Sequence, residues 1–202
     1  IMLSKPGGPE SIHTVGAIVS DIELRKNMTV GHTLFAPVLE TALSIEMAYP
    51  IACDPRVATL CAASARNGDV ARAVGFQWTR EGLESLHLKS KAILAVRAAG
   101  KDYPLGGLWQ DVHDLEGLRE SCRFHRQLGF TGEIILHPSN VPVVNEVFTP
   151  DAEELAYYQG MVDAFEEAEK AGNAAVMYDG EHVDYAHVKT ARQILAMVAD
   201  LK

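Results

Sequence analysis

The chain has 202 residues, 48% of them hydrophobic and 22% charged, a balance that fits one soluble globular unit with a sizeable core and excludes disordered and fibrous classes. Its 18 Lys and Arg against 27 Asp and Glu leave a net charge of −9 with no basic cluster interleaved with aromatics, so nucleic acid is not an expected partner. No apolar run approaches the roughly twenty residues of a membrane span, and no basic segment leads into an apolar one at the start, so neither a membrane nor secretion is expected and the cytoplasm is the expected compartment. Cys53, Cys61 and Cys122 lack CxxC or Cys/His spacing, which predicts reduced packing residues.

Ile1-Met2-Leu3-Ser4 reads as a buried strand running into the turn Lys5-Pro6-Gly7-Gly8-Pro9, with no initiator Met or capping element before it, as an interior segment does. Glu10 to Asp21 then sets Ile12, Val15, Ile18 and Val19 on one helical face behind Pro9. Thr33 to Leu39 predicts a strand ending at Glu40-Thr41, with Pro37 inside it demanding a bulge or bend, and Ala42 to Ala52 a helix. Val57 to Ala62 predicts a third strand, closed by the polar loop from Ser64 to Asp69. A helix over Glu81 to Ala99 carries Leu83, Leu86, Ser90, Ile93 and Arg97 three or four apart, with His87 on a solvated face.

Gly106 to Trp109 is a weaker strand, followed by a helix that Asp114 caps and Gly129 stops, with His125 on a solvated face. Glu133 to Leu136 predicts a strand, then the turn His137-Pro138-Ser139-Asn140 and a helix from Asp151 to Lys170 burying Leu155, Tyr158, Val162 and Phe165. The tail breaks the alternation, since Asp179-Gly180 marks a hairpin and a last helix spans about Ala186 to Leu201.

Up to that tail strand and helix alternate, which requires parallel strands with crossover helices, as in a doubly wound sheet or a (β/α)8 barrel. Lys5, Glu40, Asp69, Asp111 and His137 all fall just after strand ends, and no GxGxxG or Walker sequence is present, so the TIM (β/α)8 barrel is the expected fold. Five βα units are countable where a whole barrel of about 250 residues has eight. On their own terms, Glu40 and Asp69 are a carboxylate pair suited to Mg²⁺, or acidic first-turn residues complementing helix dipoles. His137 and Pro138 are a ligand contact or an ordinary turn, and Asp184 is the cap of the last helix.

Together these segments resemble the HpcH/HpaI aldolase/citrate lyase family, in the branch of the citrate lyase beta subunit and the malyl-CoA lyases. Val38-Leu39-Glu40-Thr41 resembles its "IET" strand end, and Gly68-Asp69-Val70-Ala71-Arg72-Ala73-Val74-Gly75 its "DLAADLG" segment. Asp111 to Leu118 resembles "D-x-x-DLEGL", Leu136 to Asn140 "IHPSQ", and Val183 to Val188 "ID-x-PHV". The likeness begins at what would be the fourth barrel strand, where Met2-Leu3-Ser4-Lys5 stands for "LPK", and departs in the longer, more polar loop before Asp69.

The resemblance implies strands 4 to 8 of the barrel over residues 1–172, and over 173–202 an extension that packs on a neighbouring subunit. It implies Mg²⁺ on Glu40 and Asp69, the cofactor side of an acyl-CoA thioester at His137 and Pro138, and Asp184 as the acid/base group, supplied across a homotrimer or a multiple of one. The implied reaction is cleavage of a 3-hydroxyacyl-CoA to an acyl-CoA and a 2-oxo acid. A malyl-CoA-type thioesterase, a metal-dependent 2-oxo-acid aldolase and a non-catalytic subunit of a larger complex remain as alternatives.

Overall fold

A computed structural model describes residues 1–199, which divide into two compact units, Ile1–Phe148 and a second from Thr149 onward. In the first, the elements run β1 (Met2–Ser4), α1 (Pro9–Arg25), β2 (Ala36–Val38), α2 (Ala42–Glu46), α3 (Ala48–Ala52), α4 (Asp69–Val74), α5 (Leu86–Ala98), β3 (Leu105–Gly106), α6 (Leu115–Leu128), β4 (Gly132–Glu133) and α7 (Val141–Phe148). β1 pairs with β2 and β3 with β4, both in parallel, while the segment 57–61 bridges β2 through Phe35 and Val38 and β3 through Leu105. Each strand position thus lies beside its predecessor in the chain. A doubly wound sheet reverses its strand order at a switch point and a barrel wall does not. The α/β class expected from alternation is the one found.

Pro37 leaves its mark on the register. Bridges join Phe35 to Val57 and Val38 to Cys61, so three steps on β2 face four on its neighbour, a one-residue bulge. Pro37 has no N–H to donate there; its carbonyl accepts from the Cys61 amide at 2.8 Å, and the ladder resumes with Leu39 N–H to Cys61 O at 2.9 Å.

The main core joins Ile12, Phe35, Leu39, Ile51, Val57, Leu60, Val96 and Phe130. α1 starts with Pro9 in its first turn and runs four residues past the expected end. That extra turn carries Glu23, 1% exposed, which accepts from the amides of Gly31 (2.9 Å) and Thr33 (2.7 Å) and from both terminal nitrogens of Arg56 (3.2 and 2.7 Å). Ile18, expected in the core, is exposed.

The helix expected over 42–52 is two, because Pro50 in a continuous helix would clash with the Glu46 carbonyl and leave it unbonded. The break falls at Met47. The helix expected from Glu81 starts at Leu86, with Leu83 exposed in a 3₁₀ turn before it, and α5 buries Lys89, Ala92, Ala95 and Val96 while Arg97 is exposed, so the expected face is rotated. α6 keeps its expected bounds: Asp114 accepts from Gly117 N–H at 2.9 Å, and Gly129 ends it at φ 108.

His125 is buried rather than solvated, its Nδ1 lying 2.7 and 3.0 Å from the two carboxylate oxygens of Glu133. Gly106 makes room for that pair, since a Cβ there would stand 2.7 Å from Glu133 Oε2. α7 is an addition to the elements expected from sequence. All three thiols are free; Cys61 and Cys122 are buried as expected, whereas Cys53 is exposed at the end of α3.

The second unit holds α8 (Ala152–Lys170), β5 (Ala175–Tyr178), β6 (Glu181–Asp184) and α9 (Tyr185–Ala199). β5 and β6 are antiparallel about Asp179 (φ 48) and Gly180 (φ 80), the positive-φ pair of a type I′ turn. Met161, Val162 and Phe165 of α8 pack with Val183, Val188 and Ala191 in one small core, so α8 is joined to the hairpin and to α9. The expected end of the last helix at Leu201 lies outside the described residues. Among the described residues no helix is long and apolar enough to cross a membrane.

Candidate functional site

β1 ends at Ser4, and the next residue, Lys5, takes φ 52. Its Nζ lies 2.8 Å from Asp69 Oδ2. Asp69 is the first residue of α4, delivered by the turn in which Gly68 N–H donates to Ala65 O at 3.0 Å, and it also pairs with Arg72. Glu40 follows β2 and is held by what comes after it. Thr41 and Ser44 form a reciprocal capping box at the start of α2, with the Ser44 amide donating to Thr41 Oγ1 at 2.9 Å and the Thr41 amide to Ser44 Oγ at 3.0 Å.

The electrostatics tie the three groups together. Burial pushes the Glu40 carboxyl above the ordinary range, the Asp69 charge pushes it further, and Lys5 opposes both. Asp69 moves the other way: its hydrogen bond to Lys5 holds it below the ordinary value against the effect of burial, with Arg72 adding to the same direction. Glu40 and Asp69, expected to converge, thus sense each other's charge, and an ammonium compensates them. Lys5 is one of the polar residues just after strand ends, and that placement and the likeness of Met2-Leu3-Ser4-Lys5 to "LPK" are the signals the sequence carries for it.

Two carboxylates on one rim suit a hard divalent ion that keeps waters and substrate oxygens as its other ligands. Among the described residues no group of three or more His, Cys, Asp or Glu side chains is arranged to hold a metal, and the Asp69 oxygens face Lys5 and Arg72.

His137 and Pro138 are occupied with their own turn. The Ser139 amide donates to His137 Nδ1 at 3.2 Å, Ser139 Oγ lies 2.8 Å from the same nitrogen, and Pro138 opens the 3₁₀ turn 138–140. The His137 side chain is exposed. Asp184, in the second unit, ends β6 and turns its carboxylate onto α9: Oδ1 accepts from Ala186 N–H at 2.9 Å and lies 2.7 Å from His187 Nδ1. His187 first, then the Ala186 amide, hold Asp184 below the ordinary carboxylate range.

The profile of the HpcH/HpaI aldolase/citrate lyase family matches residues 2–138. A (3S)-malyl-CoA thioesterase from Cereibacter sphaeroides is 31% identical over 196 residues, covering 97% of this chain and 64% of the relative. An L-malyl-CoA/beta-methylmalyl-CoA lyase from the same organism is 32% identical, covering 96% and 65%. Among solved structures, a citrate lyase from Burkholderia xenovorans superposes with a TM-score of 0.81 at 16% identity, over 100% of this chain and 63% of that one. The protein CitE from Mycobacterium tuberculosis, in complex with magnesium, acetoacetate and coenzyme A, superposes with a TM-score of 0.76 at 22% identity, over 98% and 67%. The chain therefore shares the fold of these proteins and spans about 64% of the length of the thioesterase relatives.

Proposed function

Because this chain belongs to the HpcH/HpaI aldolase/citrate lyase family, we propose that it forms part of a Mg²⁺-dependent carbon–carbon lyase that cleaves a 3-hydroxyacyl-CoA of the citryl-, malyl- or methylmalyl-CoA kind. The observation that carries this reading is the Glu40–Asp69 pair with its Lys5 counter-charge, just beyond neighbouring parallel strand positions. In the reaction the bond between the hydroxyl-bearing carbon and the carbon next to the thioester breaks. Its electron pair stays on the thioester side, and the hydroxyl proton leaves as the 2-oxo acid forms.

Glu40 and Asp69 would hold Mg²⁺, which when bound supplies a Lewis acid for the substrate oxygens. Lys5 offers an ammonium at the same rim for a substrate carboxylate. His137 and Pro138 belong to the coenzyme A side. Asp184 exchanges the proton with the substrate hydroxyl or the enolate carbon, reaching the site of a neighbouring subunit in a trimer or a multiple of one. Hydrogen-bonded to His187 and Ala186 it is a weak base, and burial against a partner would raise its pKa toward a useful value. The strand positions correspond in this reading to strands 4 to 8 of a TIM barrel over residues 1–172, with 173–202 as the exchanged extension; the sequential parallel order supports the strand assignment alone.

A thioesterase reading is favoured by the malyl-CoA thioesterase relatives at 31% identity. One assay separates the two. The full gene product is incubated with Mg²⁺ and a panel of 3-hydroxyacyl-CoAs, with 2-oxo acid and free thiol scored separately. The lyase releases 2-oxo acid without free thiol, and free thiol without 2-oxo acid would replace it by the thioesterase. Glu40→Gln and Asp69→Asn should each abolish Mg²⁺-dependent turnover with the fold retained, and unchanged dependence in both sinks the site. Asp184→Asn should lower turnover by about a hundredfold or more, and mixing it with Glu40→Gln subunits should restore activity. Failure of the mixed oligomers to recover removes the exchanged tail.

A further inference from the structure

α5, α6 and the loops preceding them enclose a cavity of about 230 Å³ whose wall includes Trp78, Lys89, Trp109, Phe124 and His125 but none of Lys5, Glu40 and Asp69. Lys89 sits on the buried face of α5, 5% exposed, its Nζ 5.8 Å from the centroid of the Phe124 ring. Among the described residues its ammonium has no hydrogen bond or ion pair. The two carboxylates whose charge bears on it, Glu133 and Glu84, are engaged elsewhere. Glu133 turns both oxygens to His125, and Glu84 accepts from the amide and hydroxyl of Thr79 at 3.1 and 2.7 Å.

His125 is 2% exposed. Its Nδ1 faces the Glu133 carboxylate, which accepts, so Nδ1 carries a proton. Its Nε2 is buried without a partner. A buried imidazole nitrogen without a partner is costly, and a ligand that bonds it while bringing a carboxylate to the Lys89 ammonium removes that cost and adds a charge-assisted hydrogen bond. The remaining wall is mixed: the Trp78 and Trp109 rings stand 5.8 Å apart at 55°, Trp109 Nε1 is buried without a partner, and Ser64, Thr79, Glu81 and Glu120 supply polar groups. Arg80, the other cation on the wall, is committed to Asp114 at 2.9 Å and Glu120 at 3.4 Å and stacks over Trp109. The volume lies below the roughly 300–1,000 Å³ of sites for drug-sized ligands, so the ligand is compact.

We propose that this cavity binds a small hydroxy acid with a flat apolar body, its carboxylate accepting from Lys89 Nζ, its hydroxyl hydrogen-bonded to His125 Nε2, and its body against Trp78 and Trp109. The site does not depend on the lyase reading.

Trp78 and Trp109 are the chain's two tryptophans, so intrinsic fluorescence reports on this cavity. The full chain is titrated with mandelate, mandelamide and phenylacetate. Mandelate should quench saturably, mandelamide should bind at least about tenfold more weakly for want of the charge, and phenylacetate several-fold more weakly for want of the hydroxyl. Lys89→Met should lose mandelate by at least about tenfold, and His125→Phe, which has no hydrogen-bonding atom, should erase the preference for mandelate over phenylacetate. Glu40→Gln should leave all three titrations unchanged. Non-saturable quenching, equal binding of mandelate and mandelamide, or undiminished mandelate affinity in folded Lys89→Met overturns the proposal. Equal binding of mandelate and phenylacetate by the unmodified chain overturns the His125 contact, and loss of mandelate binding in Glu40→Gln assigns the signal to the carboxylate rim instead. The comparison of mandelate with mandelamide needs no variant, so a poorly folding Lys89→Met leaves the test intact.

Discussion

Glu23 and Lys89 are both charged and buried in the first unit, and they are treated oppositely. Glu23, on the last turn of α1, has both oxygens occupied by two amides and a guanidinium, and Arg56 is further bound to Ser20 Oγ at 2.6 Å and to the Thr33 carbonyl at 3.0 Å. Lys89, on α5, has an aromatic face and two carboxylates turned elsewhere. Burial alone therefore does not separate a structural charge from one kept for a ligand; the count of satisfied hydrogen-bonding positions does. Glu23–Arg56 holds the loop 31–33 onto α1, whereas Lys89 holds nothing.

The largest test of that contrast is Glu23→Ala, which strands Arg56 and two amides. Its melting temperature should fall by on the order of 10 °C in calorimetry, and a change under roughly 2 °C would break the comparison. Next comes pH. Arg56 holds the Glu23 carboxyl well below its ordinary value of 4.5, burial opposing. A group with a lowered folded-state pKa contributes stability above its unfolded value that is lost as pH falls toward the folded one. The unmodified protein should therefore lose stability as pH drops below about 4.5, and Glu23→Gln should lose less over that range. Arg56→Lys keeps the charge but not the fork that reaches Glu23, Ser20 and Thr33 together, so a fall of about 5 °C is expected. Smallest of all, Lys89→Met should leave the melting temperature unchanged or raise it by a few degrees, because it removes a buried charge that has no partner.

Local signals are legible in the sequence and most pairings across space are not. Asp114 and Gly129 bound α6, Asp179-Gly180 turns the hairpin, and Pro37 displaces the ladder, all by chemistry contained within a few residues. Strand-end placement leaves Glu40 and Asp69 as a carboxylate pair or as acidic helix-start residues, and the charge of Asp69 acts on Glu40 in the folded chain. His125 reads as solvated because its partner Glu133 is reached only by folding α6 back onto β4. The buried face of α5 escapes a sequence reading because Ala92 and Ala95 are small and a lysine among them looks solvated, although Lys89, Ala92 and Val96 keep helical spacing. α7 follows a 3₁₀ turn without a break and lacks a separate start signal.

The thiols bear on how the proposed enzyme is assayed. Burial pushes Cys61 up to about 11 and Cys122 up to about 12, the latter helped by the Glu133 charge, so neither supplies thiolate at neutral pH. Cys53 alone is exposed. Of these three thiols, a disulfide reagent used to score coenzyme A release should therefore titrate Cys53 in the native protein and all three after denaturation. Blocking Cys53 beforehand removes that background, and the same residue then serves as a single attachment point for a fluorescent or spin label at the end of α3.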